Sequence, residues 1–292
     1  MITIFTTPKP FHGHNGVIQE NAIKSWRSII PECEVVILGK GHGVKDIASK
    51  YGCKYQENVV CSEDGTPLVN SLFFEAERLS SNHVMCYANC DIMFTSALVK
   101  AVQLVIGSGR QKFLIIGQRH NADIDFEWGF DSQWETKLNN YVINNGTLNC
   151  DRGMDYFIYP KGLIKNIPDL IVGRAWWDNW MLYNAKLNFI PIIDGTGMVM
   201  AVHQNHDYAH CRGGHQAAYH DGAEVKSNVA IMADGYVVMR TKDAFWVIRD
   251  GEIKFAFDRL SYHLSQLTKI WPCFRRMRKV LRKIMGYRKG IQ

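Results

Sequence analysis

Val84-Met85-Cys86-Tyr87-Ala88-Asn89-Cys90-Asp91-Ile92-Met93 decides how this chain is read, because five residues without polar alternation run straight into Asn-Cys-Asp. A short apolar run that stops at turn-forming residues is a strand buried on both faces, as in the middle of a parallel sheet. The flanking sequence repeats that rhythm. Residues 2–5 read as a strand ending at Thr6-Thr7-Pro8, and residues 19–30 as a helix through Ile23, Trp26 and Ile30. A strand at 34–38 closes on Gly39, a short helix at 44–51 stops at Gly52, and 68–79 has helical spacing. Downstream, a helix at 96–106 leads to a strand at 113–116. Strands and helices alternating at this length predict an α/β fold, a mostly parallel sheet flanked by helices. Such sheets bind ligands beyond the carboxyl ends of their strands, here at Thr6-Thr7, Asn89 to Asp91 and Gln118-Arg119.

Between 121 and 173 the periodicity weakens, apart from a strand at 156–159. A helix at 176–187, a strand at 189–193 and a strand at 199–202 follow, the last entering a histidine-rich loop. Residues 236–240 and 245–257 alternate with period two, and Asp250-Gly251 supplies a hairpin turn.

A chain of 292 residues, 47% hydrophobic and 21% charged, can bury a full core. No run approaches the roughly 20 apolar residues of a membrane span, and the first residues lack the pattern of an export signal, so a cytoplasmic protein is expected. The eight cysteines are scattered without CxxC spacing, which predicts free thiols rather than disulfides or a cysteine zinc site. Nine of the 34 Lys and Arg lie between Lys269 and Lys289, leaving 25 basic against 28 acidic residues elsewhere. That balance does not describe a nucleic-acid-binding surface.

Three groups of residues could carry chemistry. Asp91, just past a buried strand, is placed to hold a hard divalent cation such as Mn²⁺ or Mg²⁺, and the cation would neutralise a diphosphate. A turn or helix-capping Asp is the structural alternative. His203, His206 and His210 fall within eight residues beyond another strand, a density that suits metal or phosphate contact. In Trp176-Trp177-Asp178-Asn179-Trp180, an acid sits among three tryptophans, which could stack on sugar rings if they are not core. An acid so placed must be paired or functional, and desolvation should raise its pKa.

Apolar strand followed by Asn89-Cys90-Asp91, in the middle of a β/α series, resembles the DxD position of nucleotide-sugar glycosyltransferases of the GT-A fold. The likeness covers roughly residues 1–220 in layout. It implies transfer of a sugar from a nucleotide-diphosphate donor to a saccharide or lipid-linked saccharide acceptor. Asn89 takes the first motif position and Asp91 the metal-binding second, and His206 or His203 completes the site. Thr6, Thr7 and Pro8 would hold the nucleotide, with Asn70, Ser71, Gln118 and Arg119 nearby. Asp178 would be the base for the acceptor hydroxyl, Asp155 its competitor or a sugar ligand, and Trp176, Trp177 and Trp180 the acceptor wall. The departure from the motif is Asn89, which removes one charge.

On this view residues 1–222 are the catalytic domain, 223–257 a β-hairpin extension and 258–292 a helical basic tail. In the tail, Phe274, Met277, Leu281, Ile284 and Met285 recur at three and four among arginines and lysines. Such a segment reads as an anchor to an anionic membrane surface through residues 271–289, on the inner face, or as a stripe packed on the core. Other functions weighed are a sugar-phosphate nucleotidyltransferase, a metal-dependent hydrolase and a non-catalytic membrane-surface module. The first would need a glycine-rich basic loop after strand one, which residues 6–14 do not provide.

Overall fold

The computed structural model describes residues 1–29, 33–207, 216–232 and 238–264. The histidine loop at 208–215 and the tail at 271–289 lie outside the described residues.

Thirteen strands are described: β1 Ile2–Thr6, β2 Cys33–Leu38, β3 Lys54–Gln56, β4 Val84–Ala88, β5 Ile92–Met93, β6 Leu114–Ile116, β7 Arg119–Ala122, β8 Thr147–Leu148, β9 Tyr156–Pro160, β10 Ile192–Asp194, β11 Ala201–Gln204, β12 Trp246–Arg249 and β13 Glu252–Phe255. Nine form one sheet in the order β13-β12-β10-β6-β9-β4-β1-β2-β3. Pairing is parallel except around β9 and in the β12–β13 hairpin. This is the expected α/β architecture, a Rossmann-like, mostly parallel sheet flanked by helices, with one antiparallel strand set into the parallel series.

The apolar runs are continuous because both sheet faces are covered. Ile2, Ile4, Val35, Ile37 and Cys86 face helices α1 (Gly13–Ser28), α2 (Val44–Lys50) and α4 (Ala97–Gly107). Phe5, Val36, Leu38, Met85 and Tyr87 face α3 (Val69–Leu79) and α6 (Trp177–Leu187). A smaller sheet, β5-β11-β7-β8, packs with α5 (Trp134–Asn145) around Met93, Ala122, Leu138 and Val202.

Several elements differ from expectation. Helix α1 begins at Gly13, six residues before the expected 19, and its buried face carries Gln19, Asn21 and Ser25, polar residues that tie down loops. Asn21, for example, donates to the Phe126 carbonyl and accepts from the Trp128 amide. α5 stands where periodicity is weak. No strand forms at 189–193 until Ile192, because Phe189 adopts φ 53° and its amide caps α6 on Lys186 O. The strand expected at 236–240 is absent over its described residues. There the Met239 amide donates to Asn179 Oδ1 and the Arg240 amide to Asp243 Oδ2, so side chains take the donors a ladder would need. Segment 223–257 holds a helix, α7 (Ala223–Met232), before the hairpin, and β12 pairs in parallel with β10, extending the main sheet. The hairpin turn is as expected: Asp250 and Gly251 take φ 53° and 72°, the two positive values of a type I′ turn. Among the described residues Cys53, Cys61, Cys86, Cys90 and Cys150 are free thiols. Among the described residues no helix is long and apolar enough to cross a membrane.

Candidate active site

Three strands of the main sheet pass directly into the small one. β4 continues through Asn89, Cys90 and Asp91 into β5, β6 through Gly117 and Gln118 into β7, and β10 into β11. At the β6–β7 link a Cβ on Gly117 would run into the Tyr156 hydroxyl. In the small sheet β11 pairs with β5, His203 opposite Ile92, and with β7, Ala201 opposite Arg119. Residues distant in sequence thereby meet at the carboxyl end of the parallel strands. Gln204, fully buried, fixes the junction: its Nε2 donates to the carbonyls of Ile18 (2.7 Å) and Asp91 (3.1 Å), and its Oε1 accepts from Asn21 (2.9 Å).

Asp91, His203 and His206 each offer a ligand atom, all within 4.8 Å of one another. Asp91 Oδ2 lies 3.0 Å from His206 Nε2, while Asp91 Oδ1 and His203 Nδ1 are buried without a hydrogen-bond partner. Buried polar atoms are normally satisfied, and these two orphans leave lone pairs with which a cation could be held. His206 Nδ1 sits 2.6 Å from the Asp207 carbonyl. A proton assigned to Nδ1 by that contact leaves the Nε2 lone pair facing Asp91. Burial opposes the charge on Asp91, but His203, His206 and Lys9 outweigh it and hold the carboxyl below its ordinary range. Burial lowers the pKa of His203 against the pull of Asp91, which keeps its imidazole neutral and able to ligate. One carboxylate and two imidazoles therefore fit a divalent ion of the first transition row.

Asp155 stands beside this group because β9 runs antiparallel to β4, with Tyr156 opposite Ala88. Its Oδ1 accepts from Asn89 Nδ2 (2.7 Å) and Arg119 Nη1 (2.8 Å), while Oδ2 is buried without a partner. The Tyr87 hydroxyl donates to Asn89 Oδ1 at 2.9 Å. An Asn rather than an acid at 89 thus has a physical reason. Its amide donates to Asp155, and an acid there would set two carboxylates against each other.

These residues line a cavity of about 820 Å³, within the range of small-molecule sites. Thr7, Pro8, Ser71, Asn89, Asp91, Arg119, Asp155, His203 and His206 all face it. Other expected residues do not. Thr6 is wholly buried. Asn70 is half-buried and bonds Asp169, and Gln118 bonds the Asn149 carbonyl and, through its amide, Thr196. Trp177 is core, 5% exposed, with its ring against Tyr87 and Phe157 at 5.0 and 5.3 Å. It is not a wall for sugars, and Trp176 and Trp180 are half-buried on the same cluster. Asp178 lies in the first turn of α6, outside the cavity lining, and its Oδ1 accepts the Asn179 amide (2.9 Å) and Nδ2 (3.0 Å). Burial pushes its pKa up to about 6, against the Asn179 donors and helped by the charge of Asp155.

Sequence reasoning missed Lys9, Lys40 and Arg174, three cations on the cavity wall. Lys9 was legible as the basic residue following Thr6-Thr7-Pro8 at a strand end. Arg174 pairs with Glu224 of α7 at 2.6 Å, a partnership that no local pattern announces.

No protein-family model matches the sequence, and no curated protein matches it. Among solved structures, the chain is similar to glucosyl-3-phosphoglycerate synthase from Mycobacterium tuberculosis in complex with Mn²⁺, UDP and glucosyl-3-phosphoglycerate. Identity is 12% over 79% of this chain and 77% of that one, at a TM-score of 0.45. It is also similar to S. aureus TarS in complex with UDP-GlcNAc, at 14% identity over 42% of this chain and 35% of that one, with a TM-score of 0.32. The chain therefore spans 35% of a TarS fragment, residues 1–349, and 23% of the longer TarS chain. A third likeness, with 10% identity and a TM-score of 0.32 over 56% of this chain and 72% of the other, is to 4-diphosphocytidyl-2C-methyl-D-erythritol synthase from Anaerococcus prevotii. All are partial likenesses between distant sequences.

Proposed function

We propose that the chain is a metal-dependent glycosyltransferase that moves a sugar from a nucleotide-diphosphate donor to a saccharide or lipid-linked saccharide. The observation that supports this is the meeting of Asp91, His203 and His206, with orphaned Asp91 Oδ1 and His203 Nδ1, at the mouth of the parallel strands. Those three residues would hold Mn²⁺ or Mg²⁺, and two imidazoles beside one carboxylate favour Mn²⁺. When bound, the ion supplies charge neutralisation for the leaving diphosphate.

The chain's own residues do the rest. Thr7, Pro8 and Ser71 border the nucleotide end of the cavity, Ser71 Oγ being fixed by the Val60 amide at 2.8 Å. Asp155, with Oδ1 held by Asn89 and Arg119, turns Oδ2 to the hydroxyls of the donor sugar. Asp178, ionised above about pH 6, would accept the proton of an acceptor hydroxyl that approaches from the α6 side, since it stands outside the cavity lining itself. The basic amphipathic sequence at 271–289 would bring the enzyme to an anionic membrane surface carrying a lipid-linked acceptor.

Thermal unfolding with a panel of nucleoside diphosphates and nucleotide sugars, with and without Mn²⁺, tests the proposal. A metal-dependent rise in midpoint that Asp91→Ala abolishes is expected. No rise with any nucleotide would leave the metal-dependent hydrolase and the membrane-surface module as the readings to pursue.

A further inference from the structure

Lys9 follows Thr6-Thr7-Pro8 at the carboxyl end of β1, and Gln19 of α1 grips its backbone from both sides. The Lys9 amide donates to Gln19 Oε1 (2.6 Å) and Gln19 Nε2 donates to the Lys9 carbonyl (3.0 Å). Gln19 is itself buried, so the clamp is rigid. It aims the Lys9 side chain along the cavity wall, where Nζ comes within 3.3 Å of His206 Nε2 and into the field of Asp91 and Asp207.

An ammonium can only donate, and with the His206 proton assigned to Nδ1 by the Asp207 carbonyl, the Nε2 lone pair, 3.0 Å from Asp91 Oδ2, accepts from Lys9. An imidazole nitrogen has a single lone pair, and the same lone pair would ligate a cation held by Asp91, His203 and His206. It cannot serve both partners. Deepening the glycosyltransferase reading, on which it rests, we propose that Lys9 and the divalent ion use His206 Nε2 in alternation. Without metal, Lys9 is the internal counter-cation of the Asp91–His206 pair. When metal binds, the ammonium is turned out into the cavity and takes the diphosphate of the donor. Two physical facts drive the turn. The two cations repel each other, and a displaced ammonium on a buried wall needs a new anion. Its flexible four-carbon stem lets it reach one, and lysine binds phosphate as a point charge. Metal and donor would then load in a defined order, metal first.

The test uses the full chain with two simple probes, Mn²⁺ alone and inorganic pyrophosphate. Free Mn²⁺ is read by its paramagnetic resonance signal, and pyrophosphate binding to the Mn²⁺-saturated protein by calorimetry. Lys9→Met is expected to bind Mn²⁺ about tenfold more tightly than wild type, the competing cation being gone. It should bind pyrophosphate about tenfold more weakly, the scale of one charge-assisted contact. Lys9→Arg should keep most of the pyrophosphate affinity. The Gln19 clamp holds backbone only, so these variants should fold, and Lys9→Gln gives the same two signs should Met not be tolerated. Opposite effects on the two probes are what a merely structural residue does not produce. Mn²⁺ affinity unchanged or weakened in Lys9→Met, or pyrophosphate affinity unchanged, overturns the proposal. An Asp91→Ala control separates the failures: if wild type shows no Asp91-dependent Mn²⁺ binding, the site reading itself falls and the role of Lys9 falls with it.

Discussion

Replacing Asp178 by Asn should make the protein more stable and far less active, and the gain should depend on pH. The wild-type carboxyl carries a pKa raised by burial from 3.8 to about 6. Two units correspond to about 3 kcal/mol at about 1.4 kcal/mol each, reduced to about 2 by the partial exposure of the side chain. The direction follows from linkage. A carboxyl that binds its proton more tightly when folded favours the fold below its unfolded pKa, and that advantage is lost as pH rises from 4 through 6. An Asn carries no such penalty, and its Oδ1 can still accept both Asn179 donors. Urea unfolding should therefore show Asp178→Asn about 2 kcal/mol more stable than wild type at pH 8, with the difference closing near pH 4. In the same variant kcat should fall by about 10² to 10⁴, the usual contribution of a general base. A stability difference that does not change between pH 8 and pH 4 would show that Asp178 is not a strained carboxylate. Retained activity would remove it as the base.

The other predictions concern what holds the site in place. Asp243, fully buried, accepts from Lys186 Nζ at 3.0 Å, from the Arg240 amide and from the Tyr262 hydroxyl. Asp243→Ala strands a buried ammonium and should cost about 3–5 kcal/mol in urea unfolding, whereas Lys186→Met leaves Asp243 two donors and should cost less. Gln204→Leu removes the amide that ties Asp91 to α1. A loss of about 1–3 kcal/mol in stability is expected, together with weaker Mn²⁺ binding by calorimetry, and unchanged Mn²⁺ affinity would show that Asp91 needs no such support.

The alternation of apolar strands and amphipathic helices was legible from residue 2 onward, because burial on both faces of a parallel sheet leaves runs such as Val84 to Ala88 without polar breaks. The same logic put Asp91 at a strand end. The sequence also held a signal for α5, in Trp134, Leu138 and Val142 at four-residue spacing, but Ile143 on its exposed face blurs the stripe. Asp250-Gly251 declared its hairpin, since two consecutive positive φ values demand that chemistry.

What only the tertiary structure decided is which polar atoms face one another. That β11 lies between β5 and β7 is a matter of strand pairing across 111 residues to β5 and 82 to β7, and it alone brings His203 and His206 to Asp91. Trp177 reads as a sugar platform in a local window and is core, because Tyr87 and Phe157 arrive from other strands to cover it. Asn89 reads as a weakened acid until Asp155 is seen beside it. Periodicity reports how each segment meets water or core, so it foretells elements. The contacts that give Asp91, Asp155 and Lys9 their chemistry join segments far apart in the chain, and only the folded structure brings them together.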